Sequence, residues 1–226
     1  MDDTLIIFDC DGVLVDSEPL AARVLAKMIR SLGVAMESDE AAKVFLGCSM
    51  AMVIDIVAER LGHPVEAGFT QTFLDQLHME MRRDLAAIAG VHEAIEQILL
   101  NGNVGGLCVA SNGEPETVAL SLEAVGLISF FKGRLYTASA AGRPKPYPDL
   151  FLHAAHDMNY VPANCIVIED SLHGVNAALA AGMQIFRYAP YAETVDVRDH
   201  TNSVAAARIF VNMNQLPSLI AAELQR

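Results

Sequence analysis

Two aspartates near the start of the chain, Asp9 and Asp11, directly follow a short apolar run, Leu5 to Phe8. The run has the length and composition of a buried parallel strand, and Gly12 marks a turn immediately after the acids. Two carboxylates at such a point repel each other unless a cation or an electropositive ligand shares the site. The pattern therefore indicates an oxygen-ligand metal site, and an Asx turn is the alternative for this motif taken alone.

A second polar group follows the apolar run that ends at Ala110. Ser111 comes next and precedes a predicted helix, so its hydroxyl and the N–H groups after it, beginning with that of Asn112, are placed to bind an anion. A helix N-cap is the structural alternative for Ser111.

Two further candidates lie later in the chain. Lys145 is in a proline-rich loop that stays extended until Pro148, which suits the first position of a helix. Glu169 and Asp170 follow the apolar run that begins at Cys165. The alternatives are a solvated surface side chain for Lys145 and an ordinary acidic helix N-terminus for the two acids.

The elements that must position these residues alternate between strands and helices in the second half of the chain. This alternation predicts a doubly wound parallel α/β sheet, whose ligands bind above the carboxyl ends of the strands. Helices are predicted near residues 18–32, 50–61, 69–85, 91–99, 115–125, 148–158, 172–181 and 216–224. Strands are predicted near residues 5–8, 105–110, 135–136, 165–168, 184–187 and 208–211.

The first connection is longer than a sheet needs. One crossover helix joins two parallel strands, so the roughly seventy residues from Asp16 to Ala87, which show helical but no strand periodicity, are surplus. We predict a helical cap domain over residues 16–87, inserted into a core of residues 1–15 and 88–226. Ser17 is predicted to cap the first helix, with Pro19 in its first turn.

The composition limits the class of protein. The chain has 226 residues, 53% of them hydrophobic, and a formal net charge of −13, which argues against a nucleic-acid partner. The four cysteines show no C-x-x-C spacing and are predicted to be small buried hydrophobes in a reducing compartment. An acidic N-terminus and the lack of a long apolar run predict a cytoplasmic protein with no membrane partner. The sequence leaves open whether the protein is a monomer or a homodimer.

Taken together, the four motifs resemble those of the haloacid dehalogenase superfamily. The stretches DCDGVLVDSE, VASNGE, GRPKPYPD and IVIEDSLHGVNAALAAGM occur in that family's order, with a helical segment inserted after the first. Within the superfamily, the chain is similar to the branch that holds beta-phosphoglucomutase and the bacterial sugar-phosphate phosphatases, 6-phosphogluconate phosphatase among them. The resemblance implies a Rossmann-like core and a phosphatase that hydrolyses a small phosphorylated metabolite, a sugar or sugar-acid phosphate.

The resemblance also implies a role for each matching residue. Asp9 would attack phosphorus to form an aspartyl-phosphate, and Asp11 would protonate the leaving oxygen and later deprotonate water. Ser111 and Lys145, with Asn112, would bind the transferring phosphoryl group.

The family's cofactor is Mg²⁺. The resemblance implies that Asp9, the backbone carbonyl of Asp11, Asp170 and Glu169, the last directly or through water, hold the ion. Gly47, in the cap, would contact the substrate.

Two alternatives stay open. In beta-phosphoglucomutase the cap loop carries an arginine and the serine motif a lysine, whereas this chain has Met50 and Asn112-Gly113-Glu114 at the matching positions. The loss of both cations favours hydrolysis over a phosphomutase, although Arg82 and Arg83 offer other cations near the end of the cap. The second alternative is a catalytically silent binding protein on the same fold.

Overall fold

The computed structural model describes residues 4–45, 48–100, 104–190 and 207–225. Parallel strands form one six-stranded sheet in the order β3-β2-β1-β4-β5-β6. The strands are β1 (Leu5–Phe8), β2 (Gly106–Ser111), β3 (Leu135–Thr137), β4 (Cys165–Glu169), β5 (Gln184–Tyr188) and β6 (Arg208–Phe210). The predicted doubly wound parallel sheet is thus confirmed.

Strand β1 lies in the middle of this sheet. Leu5 pairs with Gly106 on one side and with Cys165 on the other, and all four side chains of β1 are buried. A strand with apolar side chains on both faces is stable where helices cover both faces of the sheet. The residues that follow β1, β2 and β4 therefore lie side by side at one edge of the sheet.

Helices follow the strands on both sides of the sheet. They are α5 (Val91–Leu100), α6 (Pro115–Ala124), α7 (Ile128–Phe131), α8 (Ala138–Ala141), α9 (Asp149–Asp157), α10 (Leu172–Ala180) and α11 (Leu216–Leu224). Their apolar residues fill the core. Phe131, for example, meets Phe8 edge to face with ring centroids 5.9 Å apart, and both residues are fully buried.

The described chain divides into two compact units, residues 1–15 with 87–226 and residues 16–86. The second unit contains the helices α1 (Glu18–Ser31), α2 (Ser38–Val44), α3 (Met50–Leu61) and α4 (Phe69–Asp84). Ala87 lies with the first unit, where it forms an antiparallel bridge with Val15, and not with the helical unit in which the sequence placed it. That the helical unit acts as a cap stays a prediction.

Two sequence predictions differ from the structure in detail. Ser17 stands at the N-cap of α1, but its side chain makes no capping hydrogen bond, because its backbone is right-handed helical (φ −85, ψ −23) where an N-cap residue is normally extended. Cys10, Cys108 and Cys165 are buried as predicted, whereas Cys48 is only half-buried. Among the residues that the structure describes, no helix combines the length and apolar character needed to cross a membrane.

A hydrogen bond joins β3 to the end of α9. The hydroxyl of Tyr136, which is 8% exposed, donates to Asp157 Oδ2 at 2.6 Å. We expect Tyr136→Phe to lower the free energy of unfolding by about 1 kcal/mol, because the bond is lost while the ring still packs. Urea unfolding measures this. The matched control is Tyr147→Phe, since Tyr147 is 49% exposed. Equal unfolding midpoints for the two variants would show that the bond adds nothing.

Candidate active site

The carboxyl ends of three neighbouring strands bring together four of the polar residues that the sequence predicted for the site. Asp9 follows β1, Ser111 is the last residue of β2, and Glu169 is the last residue of β4 with Asp170 directly after it. Asp9, Ser111 and Glu169 are buried. Polar side chains are thus concentrated at the carboxyl ends of the central strands, where open α/β sheets bind their ligands.

A buried cation ties two of these acids together. Lys145 Nζ donates to Asp9 Oδ1 at 2.7 Å and to Glu169 Oε1 at 2.9 Å. Lys145 is 6% exposed and Glu169 is fully buried, and the ammonium lies 4.9 Å from the centre of the Phe151 ring. The reading of Lys145 as a solvated surface residue is therefore wrong. The aromatic face adds a favourable electrostatic contact to the two ion pairs.

The carboxylates of Asp9 and Glu169 carry more negative charge between them than the Lys145 ammonium can neutralise. Burial raises the pKa of Asp9 from 3.8 to about 7; Lys145 opposes this rise, whereas the charges of Glu169 and Asp11 add to it. Burial alone would lower the pKa of Lys145, but Asp9 and Glu169 raise it more, so the pKa lies above its ordinary value and the amine stays protonated. The site therefore carries a negative excess that a further cation would relieve.

Glu169 is held in place at its second oxygen. Oε2 accepts hydrogen bonds from the backbone N–H of Ser171 at 2.7 Å and from its hydroxyl at 3.0 Å. Ser171 is also the N-cap of α10, because its Oγ accepts from the N–H of Gly174 at 3.1 Å. A Cβ on Gly174 would overlap the Glu169 carboxylate, so this helix position has room only for glycine.

The donor set at this edge fits a hard divalent cation. Carboxylate oxygens of Asp9, Glu169 and Asp170 lie within 4.8 Å of one another. The Asp170 carboxylate lies against the backbone of Gly12, where any Cβ would overlap it and where φ is +78°. Hard cations such as Mg²⁺ take carboxylate oxygens as ligands, and here three carboxylates lie beside a single ammonium, that of Lys145.

The loop that carries Lys145 is held at two places. The side-chain amide of Asn112 accepts from the backbone N–H of Lys145 at 2.9 Å and donates to its carbonyl at 3.2 Å. Arg143 forms two hydrogen bonds of 2.9 Å with the Asp149 carboxylate and lies over the Tyr147 ring. The observed contacts of the Asn112 side chain position Lys145, and substrate binding by Asn112 stays a prediction.

The remaining predicted residues lie beside this cluster or outside the described residues. Ser111 Oγ accepts from the N–H of Gly113 at 3.0 Å, and a Cβ on Gly113 would lie 3.3 Å from that oxygen and 4.0 Å from Asp11 Oδ2. Ser111 and Asp11 are thus neighbours, and Asp11 is exposed. Gly47 lies outside the described residues.

The two arginines weighed as extra cations belong to the surface of the helical unit. Arg83, whose side chain is 68% exposed, pairs with Glu80 and with Asp84. Arg82 Nη1 donates to the carbonyl of His78 at 3.3 Å. Both therefore make local contacts on α4, as solvated helix residues do.

Comparison with known proteins places these features in a family. The family model for haloacid dehalogenase-like hydrolases matches residues 6–188. The 6-phosphogluconate phosphatase of Escherichia coli is 30% identical over 95% of this chain and 93% of its own.

Two solved structures show the same architecture. A conserved haloacid dehalogenase-like protein of unknown function from Agrobacterium tumefaciens is 33% identical, with a TM-score of 0.77 over 98% of this chain and 99% of its own. A haloacid dehalogenase family hydrolase from Deinococcus radiodurans, solved with bound phosphate and sodium, is 28% identical, with a TM-score of 0.77 over 99% of this chain and 97% of its own. The chain belongs to the haloacid dehalogenase-like hydrolase family, and it is an enzyme of that family.

Proposed function

We propose that this enzyme is a Mg²⁺-dependent phosphatase that hydrolyses a small sugar or sugar-acid phosphate through an aspartyl-phosphate. The observation that carries the proposal is the buried cluster in which Lys145 bridges Asp9 and Glu169, with Asp170 beside them. The substrate class is supported by the similarity to 6-phosphogluconate phosphatase over nearly the whole chain. The Deinococcus hydrolase was solved with bound phosphate and sodium, which agrees with a phosphorylated substrate.

The reaction divides into two displacements at phosphorus. In the first, a carboxylate oxygen of Asp9 forms a bond to phosphorus while the bond to the substrate oxygen breaks, and Asp11 gives its proton to that leaving oxygen. In the second, Asp11 takes a proton from water as the water oxygen attacks phosphorus. Inorganic phosphate leaves, and Asp9 is restored.

The other residues neutralise charge and hold geometry. Lys145 and the Ser111 hydroxyl bind the phosphoryl oxygens, on which negative charge is spread in the transition state. Asp9, Glu169, Asp170 and the carbonyl of Asp11 would hold Mg²⁺, which supplies further positive charge to these oxygens when bound. Contact of Gly47 with the substrate, which the family resemblance implies, belongs to this proposal as well.

The metal and the nucleophile are tested together. We expect Asp9→Asn to lower the rate of phosphate release from an aryl phosphate by at least about 10³-fold, because an amide is a poor nucleophile and a weak metal ligand. Removal of Mg²⁺ with EDTA should abolish the wild-type activity and its return should restore it. The control is Glu96→Gln, the same change of charge at an exposed residue of α5.

The outcomes separate the alternatives. Activity that survives the loss of either Asp9 or the metal would contradict the mechanism. A panel of sugar and sugar-acid phosphates then defines the substrate. Hexose 1-phosphates given with a bisphosphate primer should release phosphate; isomerisation without release would identify a phosphomutase, and inertness toward every compound would indicate a silent binding protein.

Asn112 gives a second prediction. Asn112→Ala removes both side-chain contacts to the backbone of Lys145, so we expect kcat to fall about 10- to 100-fold, because a small displacement of a catalytic group has effects of that size. The free energy of unfolding without substrate should fall by about 1 kcal/mol. Asn164→Ala is the control, because Asn164 is exposed and directly precedes β4, at the opposite end of that strand from Glu169. A rise in KM alone, with unchanged stability, would show that Asn112 only contacts the substrate.

Gly174 gives a third prediction, in which two effects have opposite signs. Helix propensity alone would make Gly174→Ala stabilising by up to about 1 kcal/mol. The added methyl group overlaps the buried Glu169 carboxylate, however, and overpacking of this kind costs about 1–3 kcal/mol. We therefore expect a net loss of stability together with a loss of phosphatase activity. A variant that is more stable and fully active would contradict the packing seen around Glu169.

A further inference from the structure

A buried arginine that the proposed reaction does not use lies one strand away from the acid cluster. Arg187, in β5, pairs in register with Glu169 of β4 and is 9% exposed. Its Nε donates to the backbone carbonyl of Asp170 at 3.0 Å. Side chains alternate between the two faces of a strand, so Arg187 lies on the other face of the sheet from its buried neighbours Phe186 and Tyr188. Arg187 is itself a largely buried charge.

The peptide group that follows Asp170 is held at both ends. Its oxygen accepts from Arg187 Nε, and its N–H, that of Ser171, donates to Glu169 Oε2 at 2.7 Å. Both partners are charged, and charge-assisted hydrogen bonds are stronger than neutral ones. Hydrogen bonds in series also polarise one another, so the guanidinium and the carboxylate reinforce each other through this single peptide.

This arrangement bears directly on the direction of the Asp170 side chain. The orientation of this peptide sets the ψ torsion of Asp170, so holding the peptide limits how far the residue can turn and where its carboxylate points. Burial of a guanidinium is costly unless its contacts compensate. The hydrogen bond that the structure shows for Arg187 goes to the backbone carbonyl of Asp170, a proposed metal ligand.

We propose that Arg187 is a positioning residue for the metal site, which holds the peptide after Asp170 so that its carboxylate stays beside those of Asp9 and Glu169. The inference rests on the proposed function, because it takes these three acids as Mg²⁺ ligands. Partners that hold metal ligands in place commonly account for 10- to 100-fold in metal affinity.

A competing effect has the opposite sign. Arg187 carries a positive charge near a cation site, and loss of that charge alone would tighten Mg²⁺ binding by removing a repulsion. The direction of the change in affinity therefore distinguishes positioning from simple electrostatics.

The experiment is isothermal titration of Mg²⁺ into the full-length protein without substrate. For Arg187→Met we expect a dissociation constant about tenfold higher than that of the wild type. Arg187→Lys keeps the buried charge and a donor but reaches less far, and it should weaken binding by only about threefold. In assays at saturating Mg²⁺, the kcat of both variants should recover toward the wild-type value, because the defect lies in metal affinity.

The matched control is Arg208→Met. Arg208 lies in the adjacent strand β6, where it packs over Phe186 and pairs with Glu223 at 2.7 Å. Its loss changes the net charge of the same sheet equally and removes an ion pair, so it reports general destabilisation. Its Mg²⁺ affinity should stay within about twofold of the wild type.

The outcomes are distinct for the two proposals. A wild-type protein that binds no Mg²⁺ overturns the metal-dependent function and this inference together. A wild type that binds Mg²⁺ while Arg187→Met binds it equally or more tightly overturns only the role of Arg187. If Arg187→Met does not fold, Arg187→Lys decides: wild-type affinity in that variant counts against positioning, and weakened affinity that excess Mg²⁺ overcomes supports it.

Discussion

Two buried carboxylates share one ammonium in this enzyme, and that unequal pairing is the constraint on which the rest of the core depends. Charges taken out of water are stable only when partners compensate the lost hydration. Lys145 bonds to both Asp9 and Glu169, so one ammonium serves two acids, and burial raises the pKa of Asp9 in spite of that contact. With Asp170 adjoining, the site is complementary to a further cation, and this follows from burial and charge before any reaction is considered.

The parallel sheet fixes the positions of the acids, which lie at strand ends, but not that of Lys145, which lies in a loop. Asp9 directly follows β1 and Glu169 is the last residue of β4, so the pairing of these two strands sets how far apart they lie. Lys145 comes from a loop 136 residues after Asp9 in sequence. The amide of Asn112, from the end of β2, supplies the missing support by bonding to both polar groups of the Lys145 backbone, as a neighbouring strand would. Asn112, directly after β2, thus fixes the backbone of the loop that carries Lys145 relative to the sheet.

The sequence predicts the strands, which follow from the periodicity of apolar residues, and the site residues that lie at the strand ends. Short apolar runs bounded by turn residues indicate where each strand lies. The carboxyl ends of parallel strands lie at the same edge of the sheet, so the polar residues that end or follow these strands could be assigned to that edge. The contacts that hold the site could not be found in this way. Nothing in the order of residues shows that the Asn112 amide bonds to a backbone 33 positions later, or that Gly174 is required because a carboxylate occupies the place of its Cβ. Arg187 looks like an ordinary polar residue in a strand until its partner is known, and Ser17 matches a capping pattern that its backbone conformation does not fulfil.

The charge of the whole protein and the charge of its substrate have the same sign, so binding must be decided locally. A net charge of −13 repels a phosphate ester at long range, but at physiological ionic strength the field of exposed charges decays over about 8 Å. Buried charges are screened far less. The acids Asp9, Glu169 and Asp170 outnumber the ammonium of Lys145 that lies among them, and a divalent cation would offset that excess. On the proposed function, metal binding therefore favours binding of the phosphate ester, because the bound metal reduces the negative charge that the ester meets.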